Sequence, residues 1–97
     1  MMNNKNDISL REAIEHFKKA FGIERKLDEA ALMNSWDAVA GKAIVKHTQN
    51  LNIKNRVLYV QLDSSVIRNE LMMAREKIKN ALNDAVGKQI IDDVVFR

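Results

Sequence analysis

The stretch TQNLNIKNRVLYVQLDSSVIRNEL, from Thr48 to Leu71, decides the fold. Apolar residues alternate with polar or aromatic ones in LNI and again in LYVQL, which is the period of a half-buried strand. Asn55 and Arg56 lie between the two runs, and an asparagine can adopt the positive φ that a hairpin turn requires. After Leu62 the period changes from two residues to about 3.6. The stretch therefore predicts a β-hairpin that leads directly into an amphipathic helix.

A first helix is predicted shortly before this stretch. Ser9 is a good N-cap, because Glu12 follows three residues later and completes the S-x-x-E pattern of a capping box. Gly22 is expected to end the helix in a left-handed conformation. The apolar residues of the helix form one continuous stripe at helical spacing: Leu10, Ala13, Ile14, Phe17, Ala20 and Phe21.

A second helix is predicted to begin between Glu24 and Glu29. Trp36 is its largest apolar residue, and we expect it to lie in the core because the indole buries a large area. Gly41 interrupts the pattern and indicates a bend or an end, with a shorter turn that continues through Lys46. The apolar face consists of Leu32, Met33, Trp36, Val39, Ala40, Ala43 and Ile44.

The hairpin is followed by a third helix and a third strand. Ser64 is a possible N-cap, and Gly87 is the expected stop about five turns later. Residues 90–97 are rich in β-branched and aromatic side chains and predict a strand, with the pairing safest for residues 94–97. The buried stripe of the helix consists of Ile67, Leu71, Ala74, Ile78, Ala81, Leu82 and Ala85.

The predicted order is α-α-β-β-α-β, an α+β fold. A right-handed crossover through the third helix would make the last strand parallel to a hairpin strand. The result is a small three-stranded mixed sheet with its helices on one face. The inward residues would be Leu51, Ile53, Leu58, Val60, Leu62, Val94 and Phe96. The outward residues would be Asn50, Asn52, Lys54, Val57, Tyr59, Gln61, Val95 and Arg97.

Length and composition predict one globular domain. The 97 residues are 46% hydrophobic and 30% charged, which suits a single core. We predict a domain over residues 9–97 and a disordered end over residues 1–8, because residues 1–7 are polar and aperiodic. The chain contains no cysteine, which fits a reducing cytoplasm. No apolar run approaches the roughly 20 residues of a membrane span, and no signal peptide is recognisable.

The sequence offers little for catalysis. His16 and His47 lie on different elements and lack the spacing of a helical metal pair. The pairs Asp63-Ser64 and Asp92-Asp93 are explained by a helix cap and a strand-entry turn. The three glycines are isolated, so there is no glycine-rich phosphate loop. We therefore predict that the protein is not an enzyme and holds no cofactor or metal.

Basic side chains make nucleic-acid binding the leading hypothesis. The net charge of +3 and the pI near 9.3 permit binding to a polyanion. Basic groups can contact phosphates, and an aromatic ring on an open sheet face can stack a base. The alternative is that these groups are solvated and balanced by glutamates. The candidate contacts are Lys42, Lys46, His47, Lys54, Arg56, Tyr59, Arg68, Arg75 and Lys79, of which Arg68, Arg75 and Lys79 would share one face of the third helix.

Two blocks of the sequence resemble the DciA family of bacterial proteins. WDAVAGKAIVKHT, residues 36–48, is similar to the pattern W-x-x-[VI]-[VA]-G-x-x-[IL]-x-x-H-[TS]. LYVQLDSSVIRNEL, residues 58–71, is similar to the second block, and the ending VVFR fits as well. The resemblance extends over residues 9–97. The blocks contain four residues to which we assign structural roles, namely Trp36, Gly41, Ser64 and Leu71.

The resemblance implies a fold similar to a KH domain. It also implies binding to single-stranded or forked DNA and to the DnaB-type replicative helicase, whose loading or operation the protein would assist. KH domains that grip nucleic acid use a G-x-x-G loop, which this chain lacks, so DNA contact would come from scattered basic groups. Two alternatives stay open: an RNA-binding KH-like module, and a protein adaptor with an exposed apolar patch near Met72 and Met73.

Overall fold

The computed structural model of the chain describes residues 9–97. The disordered end predicted for residues 1–8 lies outside this range. The described helices are α1 (Leu10–Ala20), α2 (Ile23–Asn34), α3 (Trp36–Ala40), α4 (Lys42–Val45), α5 (Ser65–Met73) and α6 (Arg75–Val86). The described strands are β1 (Thr48–Lys54), β2 (Val57–Leu62) and β3 (Asp93–Phe96).

The three strands form one mixed sheet in the order β1-β2-β3. β1 and β2 are antiparallel, and Lys54 pairs with Val57 across a two-residue turn. Both turn residues have positive φ, 51° at Asn55 and 65° at Arg56, which is the backbone of a type I′ hairpin turn. β3 runs parallel to β2. The predicted hairpin and the parallel direction of the third strand are confirmed. β3 begins at Asp93 and not at residue 90, because the amides of Ile90 and Ile91 bond to the Asn83 side chain and not to a strand.

The core lies between one face of the sheet and the helices. Inward side chains of β2 and β3 are almost completely buried against residues of α2, α3, α5 and α6, and Leu51 and Ile53 of β1 pack against the same cluster. The α+β class and the order α-α-β-β-α-β are therefore confirmed, with α2 to α4 in place of the second helix and α5 with α6 in place of the third. The buried apolar residues are Leu32, Trp36, Leu58, Val60, Leu62, Leu71, Ile78, Leu82, Ile90, Ile91, Val94 and Phe96.

The first helix has the predicted ends. The Ser9 hydroxyl accepts a hydrogen bond from the Glu12 amide at 3.1 Å. Gly22 follows the helix with φ of 67° and leads directly into α2, which begins at Ile23, one residue before the range that the sequence predicts. No residue of α1 is buried.

The second helical region breaks twice. At Ser35 the hydroxyl donates to the Ala31 carbonyl oxygen at 3.0 Å, a local bond that competes with regular helix. At Gly41 the backbone adopts φ 86° and ψ 162°, a region that is essentially restricted to glycine. A Cβ atom at Gly41 would meet nothing within 4 Å. Backbone conformation, and not close packing, therefore requires glycine between α3 and α4.

The third helix is not continuous, so that prediction was wrong. Ala74 has φ −102° and ψ 12° and separates α5 from α6. The break lets α5 pack on β2 and β3, while α6 contacts α2 and α3 as well as β3. Packing on two surfaces thus overrides a periodicity that favours one straight helix. Arg68 lies in α5, whereas Arg75 and Lys79 lie in α6, so the three do not share one helical face.

Candidate nucleic-acid interface

The sheet face opposite the helices carries polar side chains around one aromatic ring. Tyr59 lies on the central strand, with Asn52 and Val95 beside it in register. The Arg97 guanidinium carbon lies 4.6 Å from the centre of the Tyr59 ring, within the range of a cation–π contact. The guanidinium covers one face of the ring, and its own plane is a surface on which a base can stack.

Arg97 is absent from the candidate contacts drawn from the sequence. The alternation of the strand could have identified Arg97 as a candidate, since it follows Val95 at the two-residue spacing that places both on the outer face. The backbone confirms this position, because the Arg97 amide donates to Val60 and its carbonyl accepts from Leu62.

At the hairpin-turn end of the sheet, Arg56 joins two loops. Its guanidinium donates to both carboxylate oxygens of Asp92, at 2.9 and 3.1 Å, and to the Gln89 carbonyl at 3.0 Å. The Asp92 amide donates to the Arg56 carbonyl at 2.7 Å. Arg56 therefore fixes the hairpin turn to the loop that precedes β3, and a carboxylate already compensates its charge.

The Arg56–Asp92 contact makes stability dependent on pH. The hydrogen bonds from Arg56 lower the pKa of the Asp92 carboxyl from its ordinary value of 3.8. A carboxyl whose pKa is lowered by folding stabilises the fold above its unfolded pKa, and this contribution is lost as the pH falls through the folded pKa. At about pH 6 the protein should therefore have a higher urea midpoint of unfolding than its Asp92→Asn variant. This difference should vanish by about pH 2. A difference that does not change with pH would contradict this role of the charge.

Two further cations at this end also have acidic partners. Arg75 Nε lies 3.4 Å from Asp93 Oδ1. Lys79 Nζ lies 2.7 Å from Glu76 Oε1, and its side chain is only 16% exposed. Lys54 projects from the outer face and is exposed; its ammonium group forms no ion pair with any other residue in 9–97. Lys54 is therefore the candidate at this end whose exposed charge has no acidic partner among the described residues.

At the opposite end of the sheet, α4 presents a second group of cations. Lys42 and Lys46 are exposed, and neither forms an ion pair within the described part of the chain. They lie one turn apart and line one shallow depression with Asp37 and Val45. Two ammonium groups at this spacing can contact neighbouring phosphates.

His47 contacts Asp63 at the same end. Its Nδ1 lies 2.7 Å from Asp63 Oδ1, and Gln49 Nε2 donates to the other carboxylate oxygen at 2.9 Å. The neighbouring Ser64 hydroxyl accepts from the Ile67 amide at 3.3 Å as the N-cap of α5. The hydroxyl beside this acid–histidine pair is thus occupied as a helix cap, and the cluster joins the start of β1 to the end of β2.

Arg68 is anchored to the sheet. Its Nη2 donates to the Leu62 carbonyl at 3.3 Å, and its side chain is half-buried. Leu71 lies one turn further along α5 and is buried in the core. Arg68 therefore packs against the end of β2, and only part of its guanidinium reaches the surface.

Trp36 is connected by hydrogen bonds to α4, the helix that carries Lys42. The indole is 1% exposed, and its Nε1 donates to the Thr48 hydroxyl at 3.1 Å. That hydroxyl donates in turn to the Ile44 carbonyl at 2.9 Å. A short chain of hydrogen bonds therefore links α3, α4 and the first residue of β1.

The candidate contacts form two groups at opposite ends of the sheet. Six residues of β2 separate them, and at about 3.3 Å per residue this is about 16 Å between the first and last Cα. The outer face with Tyr59 and Arg97 lies between the groups. The first group is Lys54, Arg56, Arg75 and Lys79; the second is Lys42, Lys46, His47 and Arg68.

Residues 9–97 contain neither a grouping of metal-ligating side chains nor a membrane-spanning helix. No three His, Cys, Asp or Glu side chains in this range are grouped so that they could hold a metal ion. None of the helices in this range combines the length and apolar character needed to cross a membrane.

Comparison with known proteins identifies one family. The sequence profile of the family described as "Dna[CI] antecedent, DciA" matches residues 9–96. Searches of the curated proteins and of the solved structures found no match. The matched range contains every element of the fold, from α1 to β3.

Proposed function

Because the chain belongs to the DciA family, we propose that it is a non-enzymatic DNA-binding protein that assists the loading or operation of a DnaB-type replicative helicase. The family match carries the proposal, since DciA proteins are linked to that helicase. DNA, single-stranded or forked, and the helicase would be its two partners.

The outer face of the sheet supports the DNA part of the proposal. It combines a stacking surface at Tyr59 and Arg97 with the exposed ammonium group of Lys54. At one end of the sheet, α4 adds the exposed ammonium groups of Lys42 and Lys46. A cation without a carboxylate partner can release counterions from phosphates. The side chains of Arg56, Arg75 and Lys79 already pair with acids, so we assign them smaller contributions to affinity.

The outer face of the sheet also favours single-stranded over double-stranded DNA. Stacking on an aromatic ring requires a base that is not stacked in a duplex, and such stacking contributes about 1–3 kcal/mol per base. Asn50, Asn52 and Gln61 supply further polar groups on the same face. A forked substrate provides single strands next to a duplex, as a replicative helicase requires.

Fluorescence anisotropy with labelled single-stranded and forked DNA tests the proposal. We expect binding at about 50 mM salt and much weaker binding at about 200 mM salt, because phosphate contacts release counterions. The slope of log K against log salt is negative. Replacing both Lys42 and Lys46 with glutamine should reduce its magnitude by about 1.4 on single-stranded DNA, since each lost contact removes about 0.7. Tyr59→Ser should weaken binding with little change in this slope.

A matched control separates specific contacts from net charge. Lys26 and Lys77 are exposed on helices that cover the other face of the sheet, so replacing both with glutamine removes the same charge elsewhere. This control variant should bind like the unchanged protein. An equal loss in both double variants, or no binding at the lower salt, would rule out the proposed interface.

A protein adaptor is the second candidate function, and one observation favours it. Met72 and Met73 are both exposed at the end of α5, Met73 by 85%, and exposed methionines suit protein contacts. An adaptor would bind neither DNA nor RNA but would co-purify with the helicase after nuclease treatment. An RNA-binding module would instead prefer RNA to DNA of equal sequence in the same titration.

A further inference from the structure

The first helix exposes its apolar face to solvent. Leu10 is 78% exposed, Phe17 54% and Phe21 66%, and Ile14 is also exposed. The rings of Phe17 and Phe21 lie 4.7 Å apart, so they form one aromatic cluster. Side chains of this size are normally buried, and a contiguous apolar surface of this kind marks an interaction site.

The spacing of these residues is that of a coiled-coil seam. Leu10, Ile14, Phe17 and Phe21 follow one another at intervals of four, three and four residues. This is the alternation of a and d positions, which packs a helix against another helix. We call these four residues the α1 seam. A ridge of apolar side chains at this spacing fits the groove of a facing helix.

The two flanks of the α1 seam differ in charge. In the α1 seam, Leu10 and Phe17 occupy d positions, and Ile14 and Phe21 occupy a positions. The e positions next to d are therefore Arg11 and Lys18, and the g positions before a are Ala13 and Ala20. Lys18 Nζ lies 3.5 Å from Glu15 Oε2, but both side chains are partly exposed, and such a surface pair is weak. One flank is therefore cationic and the other is small and neutral.

This charge pattern disfavours a second copy of the chain as the occupant. In an antiparallel pair the e positions of the two helices face each other, so Arg11 of one copy would lie near Lys18 of the other. In a parallel pair e faces g, and each cation would meet an alanine. Neither arrangement gains an ion pair, whereas acidic flanks on the partner helix would gain one with each cation.

We propose that the α1 seam docks an amphipathic helix of a partner protein whose apolar stripe is flanked by acidic residues. Leu10, Ile14, Phe17 and Phe21 would supply the buried contact. Arg11 and Lys18 would set the preference for acidic over basic flanks. This surface is separate from the outer sheet face, so the proposal holds whether or not the protein binds DNA.

A pair of labelled helical probe peptides tests the proposal on the full chain. Each peptide is about three heptads long with leucine at a and d; one carries glutamate at e and g, and the other lysine. In fluorescence anisotropy at about 150 mM salt, where exposed charges more than about 8 Å apart are screened, we expect the glutamate peptide to bind about tenfold more tightly or better. Lys18→Glu should reduce this preference.

Substitutions on and off the seam provide the controls. Phe17→Asp should weaken binding of the glutamate peptide at least about tenfold. It should lower the thermal midpoint only slightly, because Phe17 lies outside the buried core. Val66→Asp introduces the same charge at an exposed apolar position outside the α1 seam, and it should leave binding unchanged.

Four results would overturn the proposal. The first is that neither peptide binds, and the second is that both bind equally. The third is a dimer of the chain, seen by sedimentation, that Phe17→Asp dissociates, because a second copy would then cover the seam. The fourth is flotation with phosphatidylglycerol vesicles that Phe17→Asp abolishes, because the seam would then be a membrane contact.

Discussion

Replacing Asn83 with leucine should destabilise the fold by about 3 kcal/mol or more, because three buried backbone groups would lose their partner at about 1–3 kcal/mol each. Asn83 is buried in α6. Its Oδ1 accepts from the amides of Ile90 and Ile91 at 2.9 and 3.1 Å. Its Nδ2 donates to the Ile91 carbonyl at 2.9 Å. Leucine has the same branched skeleton of side-chain heavy atoms but cannot form any of these bonds.

Urea denaturation followed by circular dichroism measures this loss. Asn80→Leu is the matched control, since Asn80 is exposed one turn earlier in the same helix, and it should change stability by less than about 0.5 kcal/mol. Asn83→Asp should fall between the two, because it keeps the acceptor but loses the donor to Ile91. Equal stability of the two leucine variants would show that Asn83 does not hold the segment before β3.

Replacing Trp36 with alanine should cost about 3–5 kcal/mol, the usual penalty for removing a large buried aromatic side chain. The indole fills the core between α3 and the sheet and is 1% exposed. Trp36→Phe keeps much of the apolar surface but loses the bond to the Thr48 hydroxyl, so it should cost less, about 1–2 kcal/mol. Thermal and urea unfolding of the two variants should rank them in this order.

A double-mutant cycle tests the hydrogen-bond chain through Trp36. Thr48→Val removes the hydroxyl that accepts from Trp36 and donates to Ile44. The losses caused by Trp36→Phe and Thr48→Val should not add, because both remove the same bond, and we expect a coupling of at least about 0.5 kcal/mol. Additive losses would mean that the indole acts only through apolar packing.

The sequence predicted much of the candidate interface but not its arrangement. Strand parity placed Tyr59 on the outer face, and the short turn after Gly41 placed Lys42 and Lys46 beside β1. The charges alone did not reveal that Arg56 pairs with Asp92, a residue 36 positions away. Such a pairing depends on which loops meet in space, and no local pattern records it.

The sequence by itself determined the hairpin and which of its side chains face the core. Two-residue alternation on either side of Asn55 and Arg56 sets the register, because a shift of one residue would turn every apolar side chain toward solvent. The ends of α1 and the break at Gly41 are likewise local, since caps and positive φ depend on neighbouring residues.

Tertiary structure alone decided which of the periodic faces are buried and which periodic stretch stays one helix. Asn83 is polar, like a solvent-facing helix residue, yet its side-chain amide is buried and forms hydrogen bonds with the backbone that precedes β3. The apolar stripe of α1 has the pattern of a buried face, yet it stays in solvent. The stripe from Ile67 to Ala85 predicts one helix, yet it bends at Ala74. In each case periodicity fixes which residues share a face, but the surfaces available for packing decide whether that face is covered.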